Sequence, residues 1–461
     1  MKSSTMIASN LRTNMTRVAA AATLLLAATA SAQAATAPQS VAPAATAAAS
    51  AQEQVRQLYL TLLGREPDAA GLQYWTQAVS RGVSLATVEA EIKRSAEYTR
   101  RNPGPVAGPS AIPATPYNYY VSPNGSDSAA GTKAAPFKTL ARAAKAATKA
   151  GTTVFVAPGT YAGGIRTTAS GTASNRIYWV STTKWGAKIV PPANSTNKTA
   201  WDNRGNYVSI IGFDVDGSKI GSGTKWVLGI YTGGSYNVIE GNRVHHMATT
   251  IPCNSAGGSA IGVDSYYKGV KGDVIGNVVH DIGPAGCTYV QGIYHSTSGT
   301  IKNNVVYRVG SAAIHLWHDA TDVQIVNNTV SSSVFGIIVG GGDFYFTKAG
   351  ANNVHVHNNI VYDNKYGISE QGTTGKGNTY KNNLVTKNTT YNFQLRNGLT
   401  HTGTISSEPL FAGYSRTAAT PDYKLTASSP AIGRGLATYA PKTDIDGKAR
   451  GSSIDLGAYQ R

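Results

Sequence analysis

Between Gly292 and Val330 the chain writes one unit twice. Each copy opens on a short Gly/Ala-Ile strand, Gly292-Ile293-Tyr294-His295 and then Ala313-Ile314-His315-Leu316. Each closes on Asn-Asn and two β-branched residues, Asn303-Asn304-Val305-Val306 and then Asn327-Asn328-Thr329-Val330. The corner recurs as Gly241-Asn242, Gly276-Asn277, Asn358-Asn359 and Asn382-Asn383, and from Asn242 its second residue steps by 35, 27, 24, 31 and 24 residues. Self-similarity at such a period marks a solenoid. Short β-branched segments bounded by Gly and Asn exclude a helical repeat, which needs apolar residues at helical spacing. The shortest step fits one coil of a parallel β-helix, and longer steps are coils with loop insertions. Asn suits the corner because it tolerates left-handed backbone, and stacked amides can bond to the coils above and below.

Residues 1–34 read as a secretory signal peptide. Lys2, Arg12 and Arg17 precede the apolar run Val18–Ala30, and Ala32-Gln33-Ala34 matches a small-x-small cleavage site. The expected location is therefore extracellular or periplasmic. No later stretch is apolar and long enough to span a membrane. Residues 35–51, rich in Ala, Thr, Pro and Ser, read as a flexible spacer. Across 52–101, Val55, Leu58, Tyr59, Leu62 and Leu63 recur at helical spacing, Gly64 suits a C-cap and Pro67 opens the next segment. Further helices are expected through Leu72, Tyr74, Trp75 and Val79 and around Val88, Ile92 and Tyr98; Arg65, Glu66 and Asp68 read as solvated turn residues. Residues 102–116 form a Pro/Gly linker, and residues 117–461 are one large domain.

Two stretches resemble known families. LYLTLLGREPDAAGLQYW resembles the helical module DUF4214, which implies an accessory or attachment role at a cell surface or matrix and no chemistry. The opening YYVSPNGSDSAAGTKAAPFKTLARAAKAATKAGTTVFVAPGTY resembles secreted β-helix proteins of the pectate-lyase-like superfamily. That resemblance implies an all-β, right-handed parallel β-helix, here preceded by a small all-α module. A helix opening at Pro136 and carrying Leu140, Ala143, Ala144 and Ala147 is expected to cover the first coil. From Leu410 to Gln460 the Asn pattern is lost, and this segment resembles the C-terminal closure of such proteins. No Asp cluster or Lys matches the calcium site and catalytic lysine of the pectate lyases. Calcium therefore has no clear ligand set, and the Asp residues of Asp444-Ile445-Asp446-Gly447 read as a turn.

The formal net charge is +17, and 31 basic against 18 acidic side chains fall in the β-domain. A basic exported solenoid points to an anionic partner, foremost a uronate-containing polysaccharide. Nucleic acid is not expected, since the Lys and Arg are scattered without an aromatic-basic motif. A monomer is expected. Cys253 and Cys287 are 34 residues apart, nearly the 35-residue step between Asn242 and Asn277, so they should meet on adjacent coils as a structural disulfide.

Aligning the coils on their Gly/Ala-Ile strands stacks Ile230, Ile261, Ile293, Ile314, Ile337, Ile368 and Phe393 in an inward column. Strand alternation then turns Tyr231, Gly262, Tyr294, His315, Ile338, Ser369 and Gln394 outward, and two steps on Asp264, Ser296, Trp317, Gly340, Gln371 and Arg396. We therefore expect His315, His295, Tyr294, His318 and Arg396 as catalytic candidates, with His315 favoured as base and His295 as its alternate despite an inward phase. Tyr231, Asp264, Trp317, Glu370 and Asp343 are the substrate-binding candidates, Glu370 also having an inward phase. A second column runs His245, His280, Tyr307, Ser331, Tyr362 and Thr386, with His246, Asp281, Arg308, Ser332, Asp363 and Lys387 beside it. The scarcity of paired carboxylates argues against a glycoside hydrolase. Elimination needs only a base and a cation or Arg to neutralise the uronate. The expected function is β-elimination of an acidic polysaccharide. The alternatives are a non-catalytic surface or matrix adhesin binding anionic glycans and, third, a uronate epimerase or glycoside hydrolase.

Overall fold

A computed structural model of the chain describes residues 42–461 except 64, 96–97, 99–111, 219–224 and 254–256. The leader and most of the linker lie outside the described residues, as does Gly64. The chain divides into two compact units, meeting in sequence at Lys93 and Arg94. The first holds helices α1 (Ala42–Leu63), α2 (Ala69–Ser80) and α3 (Leu85–Arg94). Helix α1 begins inside the stretch expected to be a flexible spacer, and Ala51 is already buried. An alanine-rich run is a strong helix former, which outweighs its low complexity. Val55, Tyr59, Leu63, Val88 and Ile92 make this unit's core. Asp68 caps α2 by accepting from the Gly71 amide at 2.8 Å, and Glu66 pairs with Arg56 at 2.6 Å.

In the second unit the strand Tyr117–Val121 pairs in parallel with the next, Thr152–Val156. From there to Thr402 strands pair in parallel with the strand three places away, which builds sheets of eleven, nine and nine strands. Phe411–Gly413 and Asp422–Leu425 form a separate antiparallel pair. One coil runs Gly299–Lys302 (sheet 1), the Asn303-Asn304 corner, Val305–Val309 (sheet 2) and Ala312–Leu316 (sheet 3). This is a parallel β-helix. Like stacks on like because the register is exact from coil to coil: Ile230, Ile261, Ile293, Ile314, Ile337 and Ile368 form an unbroken buried column. The small residue before each Ile is a packing need. A Cβ on Gly292 would lie 2.9 Å from Val306 Cγ1 and 2.6 Å from the Ala313 carbonyl oxygen.

The two residues of the Asn corner divide the work. The first takes the left-handed turn, with φ of 56° at Asn303 and Asn327, 57° at Asn358 and 63° at Gly241 and Gly276. The second sits inside. Asn304 Nδ2 donates to Asn328 Oδ1 at 2.9 Å and to the Val274 carbonyl at 2.9 Å, and the Asn304 amide donates to Asn328 Oδ1 at 2.9 Å. Asn242, Asn277, Asn328 and Asn359 repeat that pattern.

The short helix α4 (Leu140–Ala146) covers the first coil with Leu140 and Ala143. It starts at Leu140 rather than Pro136 because Phe137 pairs with Tyr120 and Thr139 supplies the cap. The C-terminal segment does more than close the last coil. It runs along the Asn corner and the outer side of sheet 2, where Asn327 Nδ2 donates to the Asp455 carbonyl at 2.9 Å and Asn358 Nδ2 to the Leu436 carbonyl at 2.8 Å. Tyr423 packs on Tyr307 and bonds to Ser331 Oγ at 2.7 Å. Asp444 accepts from the Asp446 and Lys448 amides at 2.9 and 2.8 Å, as a turn carboxylate does.

Long connections cluster at the borders of sheet 3. On the sheet 2 side they run from Asp216 to Leu228, Met247 to Gly258 and Ile282 to Val290. On the sheet 1 side they run from Val263 to Gly272 and Gly341 to His355. Cys253 and Cys287 form a disulfide, Cα atoms 5.3 Å apart, that joins two of these connections. Replacing both cysteines by Ser should lower unfolding free energy by about 3–4 kcal/mol for a loop of this size, checked by urea denaturation of the double variant.

Candidate functional site

The register sets one outer column of sheet 3 as Arg166, Asp202, Tyr231, Gly262, Tyr294, His315, Ile338, Ser369 and Gln394. Tyr294 and His315 meet edge to face, 5.4 Å between ring centroids, and His315 lies 5.5 Å from Trp317. His315 is half-buried, and its Nδ1 has no hydrogen-bond partner among the described residues. Burial, and secondarily the charge of His318, push its pKa down to about 3. Burial holds the Tyr294 hydroxyl well above its ordinary range, so it stays protonated.

His318 follows the strand in left-handed backbone, φ 50°. Its Nδ1 lies 2.7 Å from the Asp343 carbonyl oxygen, which can only accept, so Nδ1 carries the proton. Nε2 is then the acceptor for the Tyr345 hydroxyl, 2.7 Å away. Tyr345 is held there by Asp319. That carboxylate accepts from the amides of Tyr345 (3.1 Å), Phe346 (3.2 Å) and Thr347 (2.7 Å), and so folds the 342–354 connection back over the face. Burial, then the charges of Asp264 and Asp319, raise the Tyr345 hydroxyl above its ordinary range.

Trp317 lies across a floor of glycines, where a Cβ on Gly340, Gly342 or Gly372 would come within 2.9, 2.6 or 2.9 Å of its ring. Its Nε1 donates to Asp343 Oδ2 at 3.2 Å. Arg396, which is exposed, donates from Nη1 to the carbonyl of Gly372, one of these floor glycines, at 2.7 Å. Aromatic platform, imidazoles, phenols and guanidinium therefore share one surface.

Toward the N-terminal coils, Asp264 accepts from Tyr231 Oη and Ser296 Oγ, each at 2.9 Å, and from the Tyr266 amide at 3.1 Å. Arg204 lies over the Tyr267 and Tyr231 rings, at 3.5 and 4.8 Å, and pairs with Asp202 at 2.6 Å. Arg166 pairs with the same carboxylate at 2.7 Å. These carboxylates do not fit the calcium site that the pectate lyase resemblance implies. Calcium takes six to eight oxygens, whereas Asp202 is neutralised by two arginines and Asp264 is filled by three donors. Among the described residues no three carboxylate or imidazole groups of this face converge on one point.

Two expected site residues leave the face. His295 is fully buried, and its Nε2 donates to the Gly272 carbonyl at 2.8 Å. Burial lowers its pKa. Glu370 is buried as well; it accepts from Asn378 Nδ2 and Tyr380 Oη, both at 2.8 Å, and from the Arg396 amide at 2.8 Å. Both occupy the inward phase of their strands, and both hold neighbouring coils together. Tyr345 and Arg204 are the additions. The 31-residue step from Asn328 to Asn359 signals an insertion in the coil of Tyr345, but not where it folds. Arg204 lies two residues past Asp202, the residue that register stacks on Tyr231 one coil away.

Residues 119–271 match the family model described as Pel9A-like, right handed beta helix region, and residues 35–102 match the domain of unknown function DUF4214. The second match includes the stretch expected as a spacer, in keeping with the start of α1. The uncharacterized protein YwoF of Bacillus subtilis (strain 168) is 27% identical over 305 residues, 59% of this chain and 62% of that protein. The match thus spans under two thirds of the relative's length. The crystal structure of pectate lyase Pel9A superposes with a TM-score of 0.51 at 18% identity, covering 76% of this chain and 98% of that one. A rhamnogalacturonan lyase gives 0.46 at 17% identity, covering 68% and 97%. At such identities the likeness is one of fold.

Two measurements probe this geometry. Gly340→Val should displace the Trp317 ring and cost about 1–3 kcal/mol by overpacking, seen as a changed near-ultraviolet circular dichroism band and a lower urea midpoint. His315, neutral in the folded chain to about pH 3, takes up a proton near pH 6.5 once unfolded. Its contribution to stability is complete above about pH 6.5 and is lost as pH falls toward 3. His315→Gln should therefore show a shallower fall in stability over that window than the parent protein, measured by denaturation at each pH.

Proposed function

We propose that this chain binds a uronate-containing polysaccharide along the outer face of sheet 3 and cleaves it by β-elimination. The observation that carries the reading is the His318–Tyr345 hydrogen bond of 2.7 Å beside Tyr294 and Trp317. The fold likeness to a pectate lyase and the basic charge support the substrate class. Neither His315 nor His295 is placed as the base. His315 is too weakly basic at neutral pH, its pKa being about 3, and His295 faces the core.

The tyrosine–histidine pair can relay a proton instead. Tyr345 oxygen takes the proton beside the uronate carboxylate as its own hydroxyl proton passes to His318 Nε2. The Nδ1 bond to the Asp343 carbonyl stabilises the imidazolium that forms. Arg396 faces the enolate-like charge on the carboxylate. The proton then returns through Tyr345 to the glycosidic oxygen as the C–O bond breaks and a C=C bond forms, leaving the pair as it began. Tyr294, kept protonated by burial, and His315 hydrogen-bond the sugar, and Trp317 supplies a surface for its ring.

A second reading is non-catalytic binding of anionic glycans. It is favoured by Asp202 and Asp264, whose carboxylates are already engaged by protein donors. The same engagement argues against a hydrolase, which needs an acid–base carboxyl pair. An epimerase would use the same proton abstraction without chain cleavage. Purified protein incubated with a panel of acidic polysaccharides should yield shortened products with the ultraviolet absorbance of an unsaturated uronate. His318→Ala and Tyr345→Phe should each cut turnover by roughly 10²–10⁴-fold. Binding with neither absorbance nor shortening would leave the non-catalytic reading, and unsaturated products from both variants at the parental rate would remove the relay.

A further inference from the structure

We propose that Asp216, His245 and His246 form a binding site for a single divalent transition metal ion of the zinc type. The site lies on sheet 2, apart from the face of sheet 3 and independent of the reading above. Register stacks Asp216, His245 and His280 on successive coils. Beyond them, left-handed corners at His246 and Asp281, φ 55° and 56°, turn those two side chains back toward the column. The C-terminal segment covers the column as far as Tyr307 and Arg308 and reaches none of these residues through a described hydrogen bond.

The protonation pattern exposes lone pairs. Asp214 is fully buried, and Arg243 donates to both of its oxygens at 2.8 Å. Its Oδ1 lies 2.9 Å from His245 Nε2, so that nitrogen carries the proton and Nδ1 is an acceptor. A carboxylate behind the remote nitrogen of an imidazole is the arrangement that orients metal-bound histidines. His245 Nδ1 then faces His246 Nδ1 at 2.6 Å and Asp216 Oδ1 at 3.7 Å. Ligand bonds of about 2.0–2.2 Å at right or tetrahedral angles put donor atoms about 2.9–3.5 Å apart, so small side-chain shifts bring all three onto one ion.

Charge and donor type set the class of ligand. Two imidazoles and one carboxylate suit zinc, cobalt, nickel or copper rather than calcium, which takes an all-oxygen shell. Lys188 sits 3.4 Å from Asp214 Oδ2 and 3.5 Å from Asp216 Oδ2, so it engages the other oxygen of Asp216, while Oδ1 accepts from the Ser218 amide at 2.9 Å and keeps its second lone pair for an ion beside the imidazoles. The neighbouring trio His246, His280 and Asp281 is a poorer site. Asp281 is already bonded to His280 Nδ1 at 2.6 Å and clamped by Arg308 at 2.7 and 2.8 Å.

Tag-free, metal-stripped protein titrated with zinc chloride by calorimetry, with thermal unfolding in parallel, tests the proposal. The expected result is a single tight site, a raised unfolding temperature with zinc, and no response to calcium chloride. His246→Asn keeps a residue that tolerates left-handed backbone, so it should fold like the parent while binding zinc at least roughly 30-fold more weakly. Asp214→Asn, which alters only the orienting group, should weaken binding by roughly 10-fold. Asp281→Asn should change it less than about threefold. If the parent binds zinc no tighter than His246→Asn, the short contact between the rings is only a hydrogen bond and the proposal falls. It falls equally if Asp281→Asn abolishes binding while Asp216→Asn does not.

Discussion

The buried amide at each Asn corner carries the winding of this chain. A solenoid of short strands has to turn its backbone three times per coil, and each turn interrupts the ladder of hydrogen bonds between coils. At this corner the second Asn replaces what the turn removes: Asn328 Nδ2 bonds both to Asn359 Oδ1 and to the Ile301 carbonyl, and Asn328 Oδ1 accepts from the Asn304 amide. An unmatched backbone group in this interior would cost about 1–3 kcal/mol. Because each amide bonds to the next, the corners can only stack in register, and that register fixes the rest of the β-domain.

Register turns a linear alternation into faces. Once Ile314 stacks on Ile293, Tyr294 and His315 must be neighbours on the outer side, and His295 and Leu316 must be neighbours within. The consequence is strict. His295 has a histidine's chemistry but not its access, and Glu370 spends its carboxylate on three protein donors. Connections between strands are exempt from this rule, so they are where a surface of its own character can be built. They lengthen on both borders of sheet 3. One of them, tied down by Asp319, brings Tyr345 to His318.

The C-terminal segment distinguishes the other faces. It attaches through the left-handed member of the Asn pairs: Asn327 and Asn358 each bond to its backbone, while Asn358 Nδ2 also donates to Asn327 Oδ1 at 3.2 Å. The corner thus serves two purposes with two residues, one holding coil to coil and the other holding the segment to the solenoid. What the segment covers is the column Tyr307, Ser331 and Tyr362. Beyond its reach, the same column changes to His280, His245 and Asp216.

The sequence alone determined the fold class, the register and the disulfide, because each follows from a spacing: the Asn step, the Gly/Ala-Ile phase, and a cysteine separation of one coil. It also determined which side of sheet 3 would carry Tyr231, Tyr294, His315 and Trp317, since strand alternation is a local rule. Only the tertiary structure decided what those residues can do. That Tyr345 meets His318 depends on three amides captured by Asp319, a contact between a strand's end and a distant connection with no periodicity to betray it. That His315 is a weak base depends on how many neighbours exclude water from it, a property of packing rather than of residue type. The helical start of α1 inside an apparent spacer has the same origin. Composition marked residues 42–51 as low in complexity, and helix propensity with burial of Ala51 made them part of a folded unit.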